Sequence, residues 1–172
     1  FLANQERYGI VERKEPGRGP RPKGDRPRWE RLKGGANMAD AGEYDELVKA
    51  AAGSIIEDFN EMGTPLTPAQ EERFRRFVAG LVDVEPPTQE EIWQTMEIAL
   101  EAIRAKARER SLEAINMFML EFISGVDFSS GAMQYLPLLT GAKEAVKAGA
   151  FDRAGELMME FLGKCREAAR SL

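Results

Sequence analysis

From Tyr44 to the end of the chain, apolar residues recur at three- and four-residue steps, and after Met38 no stretch keeps the two-residue rhythm of a strand. That spacing dictates helices with one buried face each. Tyr44, Leu47, Val48, Ala51, Ile55, Phe59 and Met62 make the first face, with Gly63 placed as a left-handed terminator. Thr67-Pro68-Ala69-Gln70 reads as a capping box with proline at the first helical position. Phe74, Phe77, Val78 and Leu81 follow on one face until Pro86-Pro87 stops the helix. Thr88-Gln89-Glu90-Glu91 is a second capping box, and Ile92, Met96, Ala99, Leu100 and Ile103 follow it. The phase continues through Ala107, Ala114, Phe118 and Phe122, so one helix of about 55 Å over 88–124 is possible. The polar middle favours a break or bend near 110–112 instead, with Ser111 as a fresh cap. After a loop at 125–130, a helix bent or interrupted at Pro137 is predicted to end at Gly149. A last helix, starting near Phe151 or Asp152, carries Leu157, Met158, Phe161, Leu162, Cys165 and Ala168 on one face. The fold class predicted is all-α, a bundle of five or six helices.

The chain changes character at Met38. Of its 24 Lys+Arg and 29 Asp+Glu, ten and five fall in 1–37, a net of +5, which leaves 38–172 at −10. Four of the nine prolines lie in the first part: Pro16, Pro20, Pro22 and Pro27. Two units are therefore expected, a basic Pro/Gly-rich segment over 1–37, disordered or a short β-hairpin, and an acidic bundle over 38–172. Lys33-Gly34-Gly35-Ala36-Asn37-Met38 can be encoded by a purine-rich ribosome-binding site followed by a start codon. Met38-Ala39-Asp40 also reads as a natural amino terminus, so 1–37 is expected to be translated upstream DNA, outside fold reasoning. The alternative rests on Ile10-Val11-Glu12-Arg13-Lys14 as a strand, 17–27 as a basic loop and Arg28-Trp29-Glu30-Arg31-Leu32 as a returning strand. This pattern resembles the wing half of winged-helix DNA-binding regulators of the MarR and PadR type. The resemblance implies contacts from Arg18, Arg21, Lys23, Arg26 and Arg28 to phosphates or a minor groove. It covers about a fifth of the chain, with no recognition helix before it.

Composition narrows the chemistry. There is no histidine, and Cys165 is the only cysteine, so disulfide frameworks and His/Cys metal sites are excluded within this chain. Cys165 falls on the apolar side of the last helix and reads as a small core residue. A nucleophile would have to find its base in a Lys or a carboxylate, and no phosphate-cradling glycine loop is present. Glu57, Asp58 and Glu61 lie one turn apart and Glu90/Glu91 start another helix, carboxylates that could hold Mg²⁺ or Ca²⁺ through oxygen alone, but a solvated acidic face and the preference for negative charge at helix starts explain them more simply. No catalytic activity and no cofactor are expected. No apolar run is long enough to cross a membrane, and a cytoplasmic location follows as an expectation.

Two groups of residues suggest contact with another molecule. Arg104, Lys106, Arg108 and Arg110 are the dense basic cluster of the acidic part. They read either as a solvated helix middle, paired with Glu101, Glu109 and Glu113, or as a docking patch for an acidic partner or a nucleic-acid backbone. Met117-Phe118-Met119, Phe122 and Met158-Met159 are apolar over a wide helical arc, which is buried on two sides or packs on another chain. The stretch 142–157 resembles the turn of tetratricopeptide-like repeats at Gly149, Phe151 and Ala154. One unit without a recurring period implies an ordinary helical hairpin. The function expected is an accessory subunit or adaptor binding a protein partner or a second copy through Met117, Phe118, Met119, Phe122, Met158 and Met159. The alternative is a DNA-binding transcriptional regulator with a winged-helix remnant at 1–37 and a helical dimerisation region, with nucleic acid as a partner only if 1–37 is native.

Overall fold

The computed structural model describes residues 40–79, 87–125 and 131–170. Among these residues six α-helices pack into a bundle, with no β-structure. They are α1 (Asp40–Glu61), α2 (Pro68–Val78), α3 (Gln89–Arg104), α4 (Arg108–Gly125), α5 (Leu136–Lys147) and α6 (Phe151–Arg170), with a 3₁₀ turn, Ala132–Tyr135, leading into α5. None of these helices is long and apolar enough to cross a membrane. The wing and its five basic residues, Arg18, Arg21, Lys23, Arg26 and Arg28, lie outside the described residues, as does Leu81.

Both capping boxes form. The Thr67 hydroxyl accepts from the Gln70 amide at 3.3 Å while the Gln70 side chain accepts from the Thr67 amide at 2.9 Å. Thr88 and Glu91 repeat the arrangement at 3.2 and 2.7 Å. Each box satisfies amides that the first helical turn cannot pair internally. Pro137 does not bend a helix. It sits in the first turn of α5, where its missing N–H removes no helical bond.

The break expected near 110–112 lies earlier, at 105–107. α3 ends in a Schellman arrangement: the Lys106 amide donates to Ile103 at 2.9 Å and the Ala107 amide to Ala102 at 3.2 Å. This requires a left-handed residue, and Lys106 adopts it with φ 53°. Gly63 and Gly149 hold the same position after α1 and α5, with φ 74° and 76° and matching bonds. Without a glycine at 106 the stop has no obvious sequence signal. Ser111 is no cap: it is buried one turn inside α4, and its hydroxyl donates to the Ala107 carbonyl at 2.7 Å.

α4 is the axis of the bundle. From Ser111 to Ser124 every residue is buried except Glu113, which is half-buried. Helices α1, α2, α3 and α5 all pack against it, which is how a helix apolar over most of its circumference is accommodated within one chain. Phe118 and Phe122 meet Phe161 of α6 edge to face, with ring centroids 5.6 and 4.9 Å apart. At the far end of α4, a Cβ on Gly125 would stand 2.6 Å from Ile92 Cδ1 and 3.0 Å from Pro87 Cγ. The absent side chain there lets the start of α3 close onto the end of α4.

A left-handed lysine costs about 1 kcal/mol relative to glycine. Lys106→Gly is expected to raise the unfolding free energy by roughly that amount in a urea titration, and Gly149→Ala to lower it by a similar amount.

Candidate functional site

Three features outside simple apolar packing compete for a functional role. The first is a buried ionic cluster. Asp58 of α1, Asn116 of α4 and Lys143 of α5 are each 0–1 % exposed. Asp58 Oδ2 accepts from Asn116 Nδ2 at 2.9 Å and pairs with Lys143 Nζ at 2.8 Å. Lys143 also donates to Asn116 Oδ1 at 2.9 Å. The amide thus turns its donor to the carboxylate and its acceptor to the ammonium, the one orientation these charges allow. Lys147 Nζ approaches Asp58 Oδ1 at 2.8 Å and reaches Glu144 and Glu61 at the rim, at 3.2 and 3.6 Å.

Burial pushes the Asp58 carboxyl up, but the Lys143 charge and the hydrogen bonds from Lys143, Lys147 and Asn116 outweigh it, and the pKa falls below the ordinary carboxylate value. Burial dominates at Lys143 and holds its ammonium below the ordinary lysine value despite Asp58. Burial also opposes the Lys147 charge, but Asp58 and Glu144 more than compensate, so that pKa is raised. With its carboxylate taken up by two ammonium groups and an amide, Asp58 has no charge left to offer a cation. Glu57 and Glu61 face solvent, and no group of three His, Cys, Asp or Glu capable of holding a metal forms among the described residues. The cluster is a tie between α1, α4 and α5.

The second feature is exposed apolar surface. Trp93 and Ile98 on α3 and Met159 on α6 stand 37, 48 and 53 % exposed. α3 and α6 are neighbours: the Cβ position of Gly155 lies 3.9 Å from Ile103 Cγ2. Met159 follows Gly155 by one turn, on the side of α6 turned to α3. The residues expected to anchor a partner are placed differently. Met117, Phe118, Met119, Phe122 and Met158 are all 8 % exposed or less, packed within the core, and of the six only Met159 reaches solvent. A wide apolar arc has the same spacing whether a neighbouring helix or another chain covers it. Trp93 and Ile98 were missed because they flank the regular apolar stripe of α3 instead of extending it.

The third feature is the corner between α3 and α4. Arg104, Lys106, Arg108 and Arg110 are all exposed there. None forms an ion pair among the described residues, although Glu101, Glu109 and Glu113 lie within three or four positions in sequence. The break at 105–107 takes Lys106 and Glu109 out of helical spacing, whereas Glu101 and Arg104 within α3, and Arg110 and Glu113 within α4, keep that spacing without pairing.

A shallow groove of about 310 Å³ runs between α1 and α2, with Val48, Ala52 and Val78 as floor and charges of both signs around it. None of the ionic-cluster residues lines it. Cys165 is half-buried, and burial pushes its thiol up to about 11, so it stays protonated at neutral pH. Comparison of the chain with family models, curated proteins and solved structures finds no match.

Removing one member of the buried cluster strands the charge of another. Lys143→Met and Asp58→Asn are each expected to destabilise by about 3–5 kcal/mol, and the double variant by clearly less than their sum. The folded-state pKa of Asp58 lies below the unfolded value of about 3.9, so on acidification the unfolded chain binds the proton first. Its contribution is complete above about pH 4 and is withdrawn as pH falls through the depressed value. Denaturation midpoints between pH 6 and about pH 2.5 should fall more steeply for wild type than for the double variant.

Proposed function

We propose that the bundle is a protein-interaction module, an accessory subunit or adaptor, docking through the outer surfaces of α3 and α6. The observation that carries this reading is the exposure of Trp93, Ile98 and Met159, while the other large apolar side chains among the described residues are buried or half-buried. Tryptophan and methionine are enriched at the centres of protein interfaces because they bring large apolar area, and methionine adapts its shape to the surface it meets. The carboxylates on the same helices, among them Glu90, Glu97 and Glu160, are exposed and form the polar surround such a contact needs. The partner is a protein, either a different chain or a second copy.

The test is a variant carrying Trp93→Ala, Ile98→Ser and Met159→Ser together. Its helical circular dichroism should match wild type, and its stability should fall by about 2–3 kcal/mol at most, chiefly through Trp93, which is the most covered of the three at 37 % exposed. Self-association by sedimentation velocity, or retention of a co-purifying protein, should weaken by at least about tenfold. A wild type that stays monomeric at high concentration and retains nothing that the variant loses would end this reading. Sedimentation separates a second copy from a different partner.

A further inference from the structure

We propose that the α3–α4 corner is a docking point for a short acidic segment of a protein partner, with Arg104, Lys106, Arg108 and Arg110 taking its carboxylates. These four residues are separate from the exposed Trp93, Ile98 and Met159.

Two local rules are broken at this corner, and no carboxylate among the described residues pairs with the cations that break them. Lys106 occupies the left-handed position that Gly63 and Gly149 fill at the equivalent ends of α1 and α5. A charged side chain is kept where glycine would be more stable. Arg108 and Arg110 then fall in the first turn of α4, where the helix dipole favours anions over cations. Arg104 lies in the last turn of α3, where the dipole favours a cation, and none of the four has a carboxylate partner among the described residues. They bring four positive charges within seven residues onto a unit whose net charge over 38–172 is −10. An anion from outside supplies what the chain withholds. Three of the four are arginines, whose planar guanidinium groups match a carboxylate with two parallel hydrogen bonds.

The surroundings favour a peptide over a nucleic acid. Glu90, Glu91, Glu97 and Glu101 are exposed along α3, and Glu109 is exposed beside the corner. A nucleic-acid backbone carries charge along its whole length and would run against them. The 104–110 stretch contains no aromatic side chain on which a base could stack. A short acidic segment can end within the corner.

The test uses the full chain, so that the basic residues of 1–37 are common to every variant. A fluorescently labelled oligoglutamate peptide and a labelled random-sequence DNA duplex are titrated by anisotropy at low and physiological salt. Replacing all four cations with Gln should weaken peptide binding by at least about tenfold at low salt, and DNA binding by a smaller factor. Arg75→Gln with Lys164→Gln, which removes two cations already paired to Glu71 and Glu167, should leave peptide affinity within about twofold of wild type. Lys106→Gly separates docking from folding, because it should raise the melting temperature while lowering peptide affinity. No peptide binding by wild type, or equal affinity in wild type and the four-Gln variant, overturns the proposal. So does a larger loss for DNA than for peptide, which would make the corner a phosphate-binding surface.

Discussion

A carboxylate held between two ammonium groups and an amide sets the arrangement on which the rest of the bundle depends. Asp58, Asn116 and Lys143 come from α1, α4 and α5, with 58 and 27 positions between successive members, and each is removed from water. Apolar contact is non-directional, so an axial helix as uniformly apolar as α4 could rotate or slide among its neighbours at modest cost. A buried charge tolerates no such shift, because an unpaired ion in the interior is destabilising by several kcal/mol. The cluster therefore selects one register of α1 and α5 against α4, and the apolar contacts on all sides fill in around it. Lys147 extends it to the rim carboxylates Glu61 and Glu144.

Around that tie the helices are bounded by local chemistry. The Thr67 and Thr88 boxes and the left-handed residues 63, 106 and 149 satisfy backbone groups within a few positions of each helix end. These devices decide where each helix turns, and so which side chains lie on corners. The short turn after α3 lets α4 pack back on α3 while presenting Lys106 to solvent. Gly125 then lets Pro87 and Ile92 close over the other end of the pair.

The proposed contacts both involve α3 and use different physics. The apolar side chains Trp93, Ile98 and Met159 would contribute area and residence time, whereas the cations of the corner would contribute orientation and attraction at a distance. On an acidic body, a confined basic corner would discriminate between partners by where their negative charge lies. That division would give affinity to one surface and specificity to another.

Much of the fold is legible in residue order. Helix faces such as Val48–Ile55–Phe59 and Met96–Ala99–Ile103, and the caps at Thr67 and Thr88, depend on residues within a turn or two of one another, and those distances are set by helical geometry alone. The glycine ends at 63 and 149 are equally local. What residue order left open depends on contacts between distant segments. Lys106 carries no mark of a helix end, because a left-handed lysine forms only when the packing of α3 on α4 compensates its cost. Asp58, Asn116 and Lys143 each pass for ordinary surface residues, since nothing local reveals that three helices bring them together. Met117, Phe118, Met119, Phe122 and Met158 show the apolar arc expected of a contact surface, and only the wrapping of the other helices makes that arc the interior of this chain.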